Sequence, residues 1–119
     1  MEIIAVRGAT TVDADTEAEI RLRSVELYSE LTKRNGLVKE GVISVVISTT
    51  ADITAFYPAA AVREAGLVTA PLFSALEPPI KNSLPLCIRF LVTAKGQKDA
   101  KHVYLRGAEI LRKDLKEGE

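Results

Sequence analysis

The stretch Val42 to Thr50, VISVVISTT, decides how the chain folds. Nearly every residue in it is β-branched. Such side chains lose rotamer freedom in a helix and pack well on a pleated surface, so this composition marks a well-buried strand. A helix signal follows. Pro58 suits a first helical turn, where its missing N–H costs nothing, and Gly66 ends the helix after Glu64. Leu67 to Ser74 reads as a third strand. Glu77-Pro78-Pro79 reads as a loop, because proline cannot continue a ladder.

Working back from that unit, Ile3 to Val6 is a short strand leading through Arg7 and Gly8 into the Thr-rich Ala9 to Val12. Thr16 with Glu19 forms a capping box that opens a helix. Ala18, Leu22 and Val25, with Ile20, Leu27 and Leu31, recur at helical spacing, and Asn35-Gly36 closes it. Working forward, Leu86 to Thr93 is a fourth strand with Leu86, Ile88, Phe90 and Val92 on one face. Gly96 turns the chain, His102 to Leu105 is a fifth short strand, and Ala108 to Arg112 is helical. The charged residues 113–119 are expected to form a frayed tail. The order β-α-β-α-β-β-β-α predicts one α+β domain over residues 1–119, a mixed β-sheet packed against helices on one face. The other face then needs a cover, and a symmetric oligomer is the simplest one.

A chain of 119 residues can bury a single core. Its 16 basic and 16 acidic residues cancel, so no global field draws nucleic acid or a membrane surface, and neither is expected as a partner. The single Cys87 excludes an internal disulfide and suits a reducing compartment. Met1 and Glu2 open without the basic region and apolar run of a signal peptide, so a cytoplasmic protein is expected. There is no Ser-His-Asp set, no second cysteine, one histidine, no phosphate-cradling glycine loop and no metal-ligand spacing. Nucleophilic and metal-assisted hydrolysis are poorly supported, and neither a metal nor a cofactor is expected.

What remains is a set of charges in apolar settings. Arg7 follows the first apolar run, Arg89 lies mid-strand between Ile88 and Phe90, and Glu77 follows Pro71 to Leu76. Arg63 falls on the Pro58 helix and Arg112 on the last one. Arginine in a strand is costly to desolvate unless an anion meets it, and its planar fork matches a carboxylate. Each residue also has a plain structural reading. Arg7 or Arg89 can pair with an internal carboxylate and merely hold the fold. Glu77, Arg63 and Arg112 can be solvated charges, Tyr104 and His102 structural residues, and Cys87 a small buried hydrophobe. Residue types alone leave the function open.

The order of whole segments narrows it. Arg7-Gly8-Ala9-Thr10-Thr11 with Asp15-Thr16, Pro58-Ala59 through Ala61-Val62-Arg63-Glu64, Glu77, Cys87-Ile88-Arg89, His102-Val103-Tyr104-Leu105, and Leu111-Arg112 with Asp114-Leu115 together resemble the monofunctional trimeric chorismate mutases. The likeness runs from about Ala5 to Leu115. It implies a pseudo-barrel homotrimer with active sites between neighbouring subunits and conversion of chorismate to prephenate in aromatic amino-acid biosynthesis, without a cofactor. It further implies that Arg7 and Tyr104 hold a substrate carboxylate, Arg89 reaches both the ether oxygen and a carboxylate, and Glu77 accepts from the ring hydroxyl. Phe73, Ser74, Ala75 and Leu76 would line the pocket. Tyr57, Ala59, Ala60 and Arg63 would come from the adjacent subunit, with Arg112 near the mouth. Tyr57 stands where phenylalanine is common in that family, Ser74 where cysteine is, Ala60 where lysine occurs, and Lys113 where proline is. The rival enzyme is a trimeric deaminase of the reactive-imine type, which shares a similar plan, and a non-catalytic dicarboxylate-binding module is the rival from another class.

Overall fold

A computed structural model describes residues 2–111. Arg112 and the tail from Lys113 lie outside the described residues. The strand predicted at Ile3 runs without a break through Arg7 and Gly8 as β1, Glu2–Thr11. It is followed by α1 (Glu17–Arg34), β2 (Val42–Thr49), α2 (Pro58–Glu64), β3 (Leu72–Leu76), β4 (Cys87–Gly96) and β5 (Val103–Tyr104), with short 3₁₀ turns at Lys39–Gly41 and Arg106–Ala108. The strands form one five-stranded sheet in the order β3-β2-β4-β1-β5. β4 runs antiparallel to both β1 and β2, whereas β5 joins β1 and β3 joins β2 in parallel. The sheet is therefore mixed, as expected.

Side-chain alternation splits the sheet into two faces. Val6, Ile47, Ile88, Phe90 and Val92 point to one face and form the main core with Ile20, Leu27, Tyr28 and Leu31 of α1 and Ala59 and Val62 of α2. The buried stripe of α1 differs from the predicted one. It runs Ile20, Ser24, Leu27, Tyr28, Leu31, while Leu22 is 55% exposed and Ala18 also faces solvent. The capping box forms by half. Thr16 Oγ1 accepts the Glu19 N–H at 3.2 Å, but the Glu19 carboxylate accepts from Asp13 N–H instead. Both helices end in the same way. Gly36 and Gly66 take left-handed φ of 58° and 74°, and the N–H groups of Leu37 and Leu67 return to the carbonyls of Thr32 and Val62.

That closure explains the displaced third strand. Leu67 is used in ending α2, so β3 begins only at Leu72, after Pro71, and extends to Leu76. β4 likewise begins at Cys87 rather than Leu86, whose φ is +49°. Gly96 does not turn the chain; it is the last residue of β4 and pairs with Glu2. The helices are not confined to one face either. Ala108 and Leu111, at the C-terminal helical turn, cross to the opposite face and pack on Ala9, Cys87 and Tyr104 in a second small cluster.

Candidate functional site

The face that α1 and α2 leave uncovered carries the charges. Strand register sets its residues in rows: Arg7, Leu91, Val46 and Phe73 lie opposite one another across β1, β4, β2 and β3. Ala9, Arg89, Ser48 and Ala75 form the next row, with Tyr104 of β5 beside Ala9. Arg7 and Arg89 are thus diagonal neighbours on adjacent strands, with backbones about 7–8 Å apart by antiparallel geometry. A cavity of about 440 Å³ opens here, lined by Arg7, Ala9, Val46, Ser48, Arg89, Leu91, Tyr104 and Leu111. It is large enough for a small dicarboxylate.

Glu77, just past the end of β3, does not line this cavity but meets its Arg89 from a neighbouring one, which it lines with Asp52. The Glu77 backbone N–H donates to Thr49 O at 2.9 Å, which holds it against the end of β2. Its Oε1 takes the Ser48 hydroxyl at 3.1 Å and lies 2.6 Å from Arg89 Nε. The Arg89 contact is an ion pair and not a directional bond, because the Nε–H, although buried, is not aligned with a hydrogen-bond acceptor. Glu77 therefore offsets part of the Arg89 charge without enclosing it. The Arg89 side chain is 41% exposed, against 15% for Glu77, and it still lines the cavity. Glu77 sits on the Nε side of the guanidinium fork, and the two Nη nitrogens carry its remaining donors. Both of these contacts of Glu77 fall on Oε1.

Tyr104 is buried beside Ala9 and Cys87. β5 is fixed by two side chains. The Asn35 amide, at the end of α1, accepts from Lys101 N–H at 2.7 Å and donates to Lys101 O at 2.9 Å. His102 Nδ1 accepts the Arg7 backbone N–H at 3.0 Å, so the lone histidine ties β5 to β1. Cys87, two residues before Arg89 on β4, is a buried thiol packed with Ala9, Tyr104 and Ala108. Burial pushes its pKa up to about 11, although the Arg89 charge pulls the other way.

The remaining predicted residues are not gathered into this cavity within one chain. Ser74, Ala75 and Leu76 line a second cavity of about 490 Å³ near α2, together with Phe56, Tyr57 and Pro58. Phe73 is exposed on the edge strand. Tyr57 is 70% exposed at the start of α2, and Arg63 is exposed further along it. Ala59 and Ala60 are buried, Ala59 within the main core. Sequence reasoning missed Ser48, Val46, Leu91 and Leu111. Ser48 had a signal, since Ser44 and Ser48 are the two unbranched polar residues of β2 and both fall on the uncovered face. Among the described residues no cluster of three or more His, Cys, Asp or Glu side chains is placed to hold a metal. No described helix is long and apolar enough to cross a membrane.

A mixed sheet with helices behind it and two arginines, a tyrosine and a carboxylate in front defines an α+β protein built to take a small anionic molecule. Comparison with known proteins gives that class its family. The model of chorismate mutase type I matches residues 3–115. The chain is 40% identical over 114 residues to chorismate mutase AroH of Thermus thermophilus, covering 92% of this chain and 93% of that one. It is 37% identical over 119 residues to chorismate mutase AroH of Bacillus subtilis, covering 97% and 94%. A solved structure of a chorismate mutase from Clostridium thermocellum superposes with a TM-score of 0.84 at 38% identity, covering 90% of this chain and 98% of that one. The chain belongs to the type I chorismate mutases, and it is an isomerase.

Proposed function

We propose that the cavity between Arg7, Arg89 and Tyr104 binds chorismate and carries its rearrangement to prephenate. The observation that supports this most is the placing of Arg7 and Arg89 on neighbouring strands around one open pocket, with Glu77 beside them. The reaction is an intramolecular [3,3] shift. The C–O bond joining the enolpyruvyl arm to the ring breaks while a C–C bond forms between the same two fragments, so no proton or electron leaves the substrate. The site has two tasks: to fold the arm over the ring, and to stabilise negative charge gathering on the ether oxygen.

Arg7, with Tyr104, holds a carboxylate and so fixes the reactive conformer. Arg89 faces the ether oxygen through its Nη donors. Glu77 accepts from the ring hydroxyl. A millionfold acceleration asks for about 8 kcal/mol. One well-placed donor at a developing oxyanion contributes roughly 3–4 kcal/mol, and holding the reactive conformer is large enough to supply the rest.

The pocket is open on the side facing away from α1 and α2, and the same face exposes Ile3, Val46, Phe73 and Leu91. Apolar side chains in such a row favour burial against another chain. Three copies, as the resemblance implies, would cover this face and bring Tyr57 and Arg63 of one subunit to the cavity of the next. Arg112 would lie near the mouth. We place the protein in the cytoplasm, in keeping with its single free thiol. Loss of the chorismate chromophore on adding purified protein, with prephenate as the sole product, tests the activity. Unchanged chorismate at micromolar enzyme would refute it.

A further inference from the structure

The ion pair at the site is held by a bracket formed from residues 48–52. Ser48 and Thr49 fix Glu77, through the Ser48 hydroxyl at 3.1 Å and the Thr49 carbonyl at 2.9 Å. Thr50 fixes the start of β4: its backbone N–H donates to Cys87 O at 3.1 Å, and its Oγ1 accepts from Cys87 N–H at 2.9 Å. The Thr50 hydroxyl donates in turn to Asp52 Oδ1. Asp52 then closes the bracket, because both of its carboxylate oxygens take the Leu86 N–H, at 3.0 and 3.2 Å. Leu86 is the residue with φ of +49°, a conformation that costs a branched side chain energy and persists only when its surroundings impose it. It stands three positions before Arg89, at the point where the loop from Glu77 enters β4.

Resting on the reading of the site given above, we infer that Asp52 is a positioning residue for the rearrangement. Its carboxylate holds Leu86 left-handed and so sets where β4 starts and where Arg89 meets Glu77. Asp52 does not line the Arg7–Arg89 cavity, and its hydrogen bonds to Leu86 and Thr50 are its route to Arg89. A shift of about 1 Å in a group facing the reacting atoms can lower a rate about a hundredfold. Loss of the clamp therefore acts on the step at which charge develops, more than on capture of the substrate carboxylates by Arg7.

The test is a set of variants assayed with chorismate and with a bicyclic dicarboxylate ether that mimics the transition state. Asp52→Ala is expected to lower kcat ten- to a hundredfold while KM moves less than about threefold, and to weaken the mimic by the same factor as kcat. Asp52→Asn, which keeps one acceptor oxygen and disturbs folding less, should fall between. Adding Leu86→Gly to Asp52→Ala should restore most of kcat, because glycine holds a positive φ without a clamp. Unaltered kcat in either Asp52 variant, or a loss that Leu86→Gly leaves in place, overturns the inference. If Asp52→Ala does not fold, Asp52→Asn with and without Leu86→Gly decides the matter by the same two outcomes. Unmodified enzyme that turns over chorismate, with Arg89→Ala inactive, shows that the reading of the site stands even if the Asp52 result goes against the clamp.

Discussion

Arg89 is costly where it stands, and its surroundings explain why it is tolerated. Glu77 meets its Nε at 2.6 Å, Ser48 steadies that carboxylate, and the open cavity keeps the rest of the side chain near water. Removing either partner would leave the other half-buried and uncompensated, which makes the pair a unit rather than two additive residues. Arg7, Arg89 and Glu77 stood out in the sequence because charges amid apolar runs are few, whereas Tyr104 was singled out only by the resemblance. Ser48 carried only a hint, as an unbranched polar residue in a β-branched run, with no sign of which carboxylate it would meet. Cys87 allows a check at this scale. Its pKa of about 11 and its burial leave almost no thiolate at pH 8, so iodoacetamide should modify the folded protein far more slowly than the unfolded one. Mass spectrometry after timed quenching reads this directly. Equal labelling rates in the two states would mean that the small cluster around Cys87 is open to solvent.

At the scale of elements, the β-branched run of β2, the proline-started α2 and the glycine-ended helices were readable because each signal is local. Boundaries that depend on distant partners were not. β3 starts late because Leu67 closes α2, and Glu19 turns to Asp13 because that N–H is within reach. Two contacts between elements can be tested. β1 passes under α1 at Gly8, where an added methyl group would meet Leu31 Cδ1 at 2.8 Å, Leu27 Cδ1 at 3.2 Å and Val103 O at 3.3 Å. Both leucines are fully buried, so Gly8→Ala should destabilise the fold by roughly 1–3 kcal/mol, seen as a lower midpoint in denaturant. An unchanged midpoint would show that α1 sits more loosely on the sheet. The second contact is Asp15, whose carboxylate takes the N–H and hydroxyl of Thr54 and the N–H of Ala55, and so ties the turn before α1 to the loop that leads to Tyr57. The Thr54 hydroxyl, then the two backbone N–H groups, hold its pKa below the ordinary 3.8. A depressed folded pKa means that this stabilisation is complete above the unfolded value and fades as pH falls through the folded one. Asp15→Asn should therefore melt at a lower temperature than the parent at neutral pH, with the gap closing below about pH 4. A gap that stays constant down to pH 2 would exclude this tie.

The whole molecule was legible in class and incomplete in arrangement. Element order gave a mixed sheet backed by helices, and register then brought Arg7, Arg89 and Tyr104 to the face those helices leave bare. No local signal shows that the last helical turn crosses to that face and borders the cavity with Leu111. The placing of Tyr57 at the start of α2 and of Arg63 within it, both outside the cavity lining, gives a test of shared sites. Arg63→Ala and Arg89→Ala should each be nearly inactive alone. Unfolded together and refolded as a mixture, they should regain activity in roughly a quarter of the sites by random assortment in a cyclic assembly. No gain on mixing would mean that one chain completes its own site.

The most direct measurement is the single-turnover rate on chorismate of protein carrying citrulline in place of Arg89, a change that removes the charge and keeps the shape. A fixed positive charge facing the breaking C–O bond predicts a rate lower by at least a hundredfold, with substrate affinity changed far less. A rate within a few-fold of the parent would contradict that role.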